Sequence, residues 1–291
     1  MSTAKIGRRT AAGAIVLALG TGLAATPHGP AHAGGFAPAR IAETTDNDDS
    51  TTKTVTATCT RGSVFAAGAR IVDGSGGVAL TSMAPDPGLN SVTVTAAARS
   101  GHTGDWALTA YATCAFSARA PLWVSATVPS GSTAEVDCPG ITKVVGTGFR
   151  VEGPVDHTYV DEVAFGAGLN GVRVHAGGEP DELTAFAICK EPTPLTGPPG
   201  VRVQAASAGD TWPRTAVTGG SGPDQHVYAV GARVVSSGAA FLSVLAPGPD
   251  SHLAHAEAVQ AGPLPGAPAT ARTGEDDASL TVSGLLMGAF H

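Results

Sequence analysis

Asp161, Glu162, Asp181 and Glu182 are the residues of this chain whose types best suit acid and base chemistry. Hydrolysis of a glycosidic bond needs two carboxyls facing that bond at a defined separation, which spacing along a chain does not supply. The positions aligned with Asp181 and Glu182 in an earlier copy of an internal repeat are Trp106 and Ala107, so these acids do not recur. The reading is therefore against catalysis. Arg70, Arg150 and Arg233 do recur, each two residues after an aligned glycine: Gly68, Gly148 and Gly231. A guanidinium is a planar fork of donors suited to carboxylates, sulfates or sugar hydroxyls, which makes the three arginines the candidate binding residues. The plainer alternative is an outward strand position with a local carboxylate partner. Trp106, Trp123 and Trp212 would serve either as sugar-stacking platforms or as core and rim packing.

Other chemistry is poorly supported. Asp73-Gly74-Ser75-Gly76-Gly77 has the wrong residue order for a serine-protease nucleophile segment and reads as a glycine-rich hairpin turn. No Gly-x-Ser-x-Gly elbow occurs. His252 and His255 would point to opposite sides of a strand and have no Cys or third His near them, so no metal is expected. Asp46, Asp48 and Asp49 lack the glycine and terminal glutamate of a calcium loop and read as part of a disordered, solvated leader. No cofactor is expected.

The elements that must position these residues come as a block of about 80 residues present three times. Gly88-Leu89-Asn90-Ser91-Val92-Thr93-Val94 matches Gly168-Leu169-Asn170-Gly171-Val172-Arg173-Val174. Short runs rich in valine, threonine and alanine, bounded by glycine, proline or aspartate, read as strands: residues 54–59, 64–72, 78–83, 92–97 and 106–114 in the first copy, and 134–138, 144–152, 159–165, 172–176 and 183–189 in the second. Leu122 to Val128, before the second copy's first cysteine, resembles Val201 to Ala205 before the third copy. The third copy has drifted and carries a proline- and glycine-rich insertion, Gly262 to Asp276. In Val92, Val94, Ala96 and in Val172, Val174, Ala176 one face is apolar, and the other carries threonine, arginine or histidine.

The four cysteines allow three pairings. The third copy has roughly Thr218 and Leu286 at the cysteine positions. Pairing between copies would then orphan Cys59 and Cys189, whereas pairing within copies orphans nothing. Cys59–Cys114 and Cys138–Cys189 are the expected disulfides, each worth roughly 4 kcal/mol on the chain-entropy model.

Residues 1–33 have the order of a secretory signal: Lys5, Arg8 and Arg9, an apolar run from Ala11 to Ala25, then Ala31-His32-Ala33. The run is short of a membrane span, and the adjacent arginines leave twin-arginine export as an alternative route. Cleavage after Ala33 would leave 258 of the 291 residues and, by removing those three cations, change the net charge from −7 to −10. That charge argues against nucleic acid and anionic membranes as partners. With 39 glycines, 21 prolines and 5% aromatics, short strands and turns are favoured over long helices. The expected organisation is a signal (1–33), a disordered acidic leader (34–52), and β repeats at 53–120, 121–192 and, with a linker, 193–291.

Cys138-Pro139-x-x-x-x-Val144 through Glu152, followed by Leu169-Asn170-Gly171-Val172-Arg173-Val174-His175, resembles the vitelline membrane outer layer protein I family. Ala176 stands where that family has a cysteine, and a strand around Tyr159 to Phe165 lengthens the unit. The first copy looks more like repeats of secreted actinobacterial proteins. The egg-layer resemblance implies a β-prism, three Greek-key sheets about a pseudo-threefold axis, in a secreted structural or glycan-associated protein. Tandem β-sandwiches are the rival all-β architecture. The functional expectation is a secreted, non-enzymatic structural or binding protein with glycan or cell-wall polymer as partner; the alternative is a carbohydrate-active enzyme using the second copy's carboxylates.

Overall fold

Each copy supplies six strands, and no copy keeps a sheet to itself. The computed structural model describes residues 38–74, 76–192, 201–207, 211–220, 225–236, 238–248, 252–261 and 278–288. The first copy contributes β1 (Ala39–Thr44), β2 (Thr52–Thr58), β3 (Ser63–Val72), β4 (Val78–Pro85), β5 (Ser91–Ala98) and β6 (Ala107–Ala115). The second contributes β7 (Leu122–Pro129), β8 (Thr133–Asp137), β9 (Lys143–Glu152), β10 (Thr158–Phe165), β11 (Gly171–Gly178) and β12 (Glu182–Lys190). The third contributes β13 (Val201–Ala206), β14 (Arg214–Gly219), β15 (Gln225–Val235), β16 (Ala240–Pro247), β17 (Leu253–Gln260) and β18 (Ser279–Gly288).

These strands make three six-stranded antiparallel sheets, in the orders β1-β6-β3-β16-β17-β14, β2-β5-β4-β9-β12-β7 and β13-β18-β15-β10-β11-β8. In every sheet, the first, sixth and third strands of one copy join the fourth, fifth and second strands of another. The arrangement closes cyclically, copy 1 with 2, 2 with 3, and 3 with 1. Tandem sandwiches are thereby ruled out, and the pseudo-threefold expectation holds. The seams are short and equivalent: Arg70 pairs with Val244, Arg150 with Ser82 and Arg233 with Glu162.

A single large core draws on all three sheets, with Met83, Leu108, Phe149, Leu183, Leu242 and Leu280 among its buried members. Its centre is made by a β-bulge repeated in the third strand of each copy. The extra residue is Phe65, Val145 or Tyr228, and none is more than 1% exposed. A bulge turns one additional side chain out of register, and here Phe65 and Tyr228 meet with ring centroids 6.0 Å apart. Thr147 Oγ1 closes the same region by donating to the Val230 carbonyl at 3.1 Å. A smaller cluster holds Ala79 and Phe241 with Tyr159, again equivalent positions of three copies.

The disulfides are Cys59–Cys114 and Cys138–Cys189, each tying strands of two different sheets. Main-chain geometry refines the third copy's counterparts. Cys59, Cys138 and Gly220 each donate their amide to an equivalent carbonyl, that of Asn90, Asn170 or His252, so Gly220 and not Thr218 is the counterpart. Leu286 pairs with Val227 as Cys114 pairs with Val64.

The leader expectation is corrected within the described residues. Residues 39–44 form β1, paired over six residues with β6, and Asp48 bridges to Trp106. The physical cause is burial of Trp106, which is 0% exposed and donates its indole N–H to the Ser50 carbonyl at 2.8 Å. Lys53, also buried, lies 5.1 Å from the Trp106 ring centre and pairs with Asp48. Asp48 thus supplies a counterion to a buried lysine, while Asp46 and Asp49 stay exposed. The first repeat begins before residue 53, at β1. The expected signal segment, residues 1–33, and the insertion lie outside the described residues.

Candidate functional site

The three repeated arginines stand at equivalent seam positions, one on the outer face of each sheet, and all are exposed. The aligned glycines are needed for close approach. A Cβ on Gly68, Gly148 or Gly231 would lie 2.9, 2.5 or 2.7 Å from the carbonyl oxygen of Leu245, Met83 or Val163 across the seam. The Gly-x-Arg spacing is therefore first a seam device, and it puts one guanidinium beside each seam without bringing the three together.

Their partners differ. Arg150 is flanked by Glu152 at 3.5 Å and Glu182 at 3.3 Å. Arg233 Nε lies 3.6 Å from Glu162 Oε2. Arg70 has no carboxylate within 4 Å among the described residues; its charge acts on His255, whose pKa is lowered chiefly by burial.

The four carboxylates singled out by chemistry divide. Asp181 and Glu182 belong to the sheet shared by copies 1 and 2, where Glu182 serves Arg150. Asp161 and Glu162 lie on the sheet shared by copies 2 and 3. Consecutive strand residues ordinarily face opposite sides, but a bulge between Val160 and Glu162 interrupts the register, so both acids line one surface depression of about 280 Å³. Tyr159, Arg173, His175 and Arg233 line it too. His175, Glu162 and Arg233 form one cross-strand row, and His175 Nδ1 is 2.6 Å from Asp161 Oδ1. Arg173 is 3.8 Å from Glu135 and, with Glu162, also lines an adjoining depression of about 500 Å³.

Burial raises the Asp161 pKa, opposed by its hydrogen bond and charge interaction with His175. Desolvation wins because side-chain exposure at the pair is only 21% for Asp161 and 33% for His175. Burial likewise raises the Tyr159 pKa. The surface therefore offers an aromatic ring, a carboxyl hydrogen-bonded to an imidazole, a carboxylate paired with a guanidinium, and two guanidiniums. Such a set gives donors and acceptors to a polyol.

The equivalent rows are poorer. Thr95, Ser82 and Arg150 replace His175, Glu162 and Arg233 on one sheet, and Glu257, Val244 and Arg70 do so on the other. The bulge residues matching Asp161 are Thr81 and Ser243, which bond to the Thr95 and Glu257 carbonyls at 3.3 Å in each case.

Sequence reasoning missed Tyr159, Arg173 and His175 as members of this site. The period-2 alternation in β11 already put Arg173 and His175 on the solvent face; the bulge that brings Asp161 to them has no sequence signature. Among the tryptophans, Trp106 is core, while Trp123 and Trp212 are half-buried, with Arg214 5.3 Å from the Trp212 ring centre. Ser75 lies outside the described residues, but Gly77 donates to Gly74 at 2.7 Å, as a turn requires. No group of three His, Cys, Asp or Glu side chains is placed to hold a metal among the described residues, and no helix there is long and apolar enough to cross a membrane. No protein-family model matches the chain, and no curated protein sequence matches it either.

Proposed function

We propose that the mature chain acts outside the cell as a non-enzymatic binding protein for a glycan or cell-wall polymer, held in the depression lined by Tyr159, Asp161, Glu162, Arg173, His175 and Arg233. The carrying observation is the bulge that turns Asp161 and Glu162 onto one face, opposite His175 and beside Arg233. Sugar recognition uses planar hydrogen-bonding side chains beside an aromatic ring, and this depression is lined by both, its ring being the half-buried Tyr159. Export is supported by the apolar run from Ala11 to Ala25 and by two disulfides, which persist in oxidising compartments. The short likeness around Leu169 to His175 to the egg-layer family points in the same direction.

The enzymatic alternative would use Asp161 and Glu162. Glu162 is paired with the Arg233 guanidinium and Asp161 is hydrogen-bonded to His175, so each carboxyl already has a partner. The test is a glycan and cell-wall fraction array with the chain from Gly34, run beside an assay for released reducing ends. Binding without release, weakened at least about tenfold by Arg233→Ala through loss of charged hydrogen bonds, is expected. Polymer cleavage abolished by Asp161→Asn or Glu162→Gln would overturn the proposal in favour of the enzyme.

A further inference from the structure

The sheet shared by copies 1 and 2 carries a different equipment on its outer face. Trp123, at the start of β7, lies against Phe186 with ring centroids 5.7 Å apart and planes 32° apart. Its Nε1 donates to the Pro85 carbonyl at 3.0 Å. The indole is therefore fixed on one face and along its N–H edge. Phe186 is only 6% exposed, whereas Trp123, though packed against the main core, keeps intermediate exposure, so the indole is what this pair shows to solvent.

Arg150 sits on the same outer face. Gly148 is the register partner of Phe186, and Arg150, two residues further along β9, pairs with Thr184. The Thr127 and Thr184 hydroxyls lie 2.9 Å apart in that row. Arg150 is half-exposed between Glu152 and Glu182, so the guanidinium is neutralised locally while donors and acceptors remain at the surface.

Symmetry shows that the tryptophan is particular to this face. Its counterpart in copy 1 is Arg40, which covers Tyr111 at 4.6 Å from the ring centre and donates to the Pro247 carbonyl at 2.8 Å. The third sheet has Ser283 at the position of Phe186. The fold asks for a side chain that bridges across the seam; only copy 2 answers it with an extended flat ring.

We infer that the Trp123 face is a second binding site, for a neutral polysaccharide built of pyranose rings with equatorial hydroxyls, and that the protein bridges two polymer chains through its two sites. The inference rests on the glycan reading of the first depression. A rigid indole face matches the apolar face of such a ring. The occupant is neutral because Arg150 is outnumbered by its two carboxylates and the chain's net charge of −7 opposes polyanions. The two sites share no residue and lie on different sheets, so one occupied site leaves the other open. Two sites on one rigid body turn binding into cross-linking, with avidity that neither site has alone.

The experiment uses the full mature chain, hexamers of glucose and of N-acetylglucosamine by calorimetry, and light scattering with the corresponding soluble polymers. Wild type is expected to bind two hexamers per chain and to raise scattering of the polymer. Trp123→Ala, folded by its thermal transition, is expected to bind one and leave scattering at baseline. Arg150→Gln, at an exposed position, weakens the same site should the alanine variant fail to fold. A wild-type stoichiometry of one, lost on Arg233→Ala, overturns the second site and bridging while the first site stands. Two hexamers still bound by both Trp123→Ala and Arg150→Gln also overturns it, and no binding by wild type overturns both readings.

Discussion

Gly148 and Met83 lie face to face across the seam between copies 1 and 2, so close that a Cβ on the glycine would stand 2.5 Å from the Met83 carbonyl oxygen. The same Cβ would meet Pro85 Cδ at 2.9 Å, so neither neighbour is a flexible side-chain end. Gly148→Ala must push apart two strands that share only the short seam pairing around Met83 and Phe149. A loss of about 1–3 kcal/mol is expected, read as a lower denaturant midpoint. Gly68→Ala and Gly231→Ala should act in the same direction, and stability unchanged in all three variants would contradict the seam account.

The third copy can be given the bond that it lacks. Gly220 and Leu286 occupy the places of the two paired cysteines by main-chain register. Gly220→Cys with Leu286→Cys should form a third disulfide, seen as the absence of free thiol, and raise stability by up to about 3 kcal/mol. Two thiols that stay reactive in the folded, oxidised protein would show that the third copy departs from the symmetry at this end.

Arg99 joins all three copies. It is buried, donates to the Asp156 carbonyl at 2.6 Å, and sits 5.8 Å from the Phe241 ring centre. Arg99→Ala should cost about 2–3 kcal/mol through a lost charged hydrogen bond and lost packing by its stem. Thermal unfolding measures it, and a change below about 0.5 kcal/mol, the size of an ordinary surface substitution, would contradict the role.

Acid should act on two aspartates in opposite senses. Hydrogen bonds from Ser100 hold the Asp156 pKa low, so its contribution is present above the unfolded aspartate value of about 3.9 and is lost as pH falls through the lower folded value. Burial holds Asp161 high; its contribution is complete below about pH 3.9 and is lost as pH rises through the raised folded value. Asp161→Asn should therefore raise the melting temperature relative to wild type at pH 7 and lose that advantage by pH 3. An advantage greater at pH 3 than at pH 7 would mean that the His175 pairing outweighs desolvation.

Local signals carried much of the architecture. Valine, threonine and alanine runs between glycines and prolines located most strands, and the missing cysteines of the third copy fixed the pairing. What was not legible is non-local. Nothing in Gly68-Ala69-Arg70 or its counterparts says that the strand continues into another copy's sheet, since the seam depends on backbone approach over very few residues. The bulges at Phe65 and Asp161 carry no residue signature, so the convergence of Asp161, Glu162 and His175 could not be read. β1 could have been found: β7 and β13 precede their copies, and symmetry requires a counterpart within residues 34–52. Its acidic, threonine-rich neighbourhood concealed it because Asp48 answers a lysine buried beside Trp106.

The most direct test of the central claim is the dissociation constant of the preferred array glycan for the chain from Gly34, measured by calorimetry for wild type and for Tyr159→Ala, Glu162→Gln and Arg233→Ala. The account predicts binding that weakens about tenfold or more in each folded variant, as loss of one stacking or charged contact would give, with no product released. Affinity unchanged in all three, or no glycan bound by wild type, would contradict it.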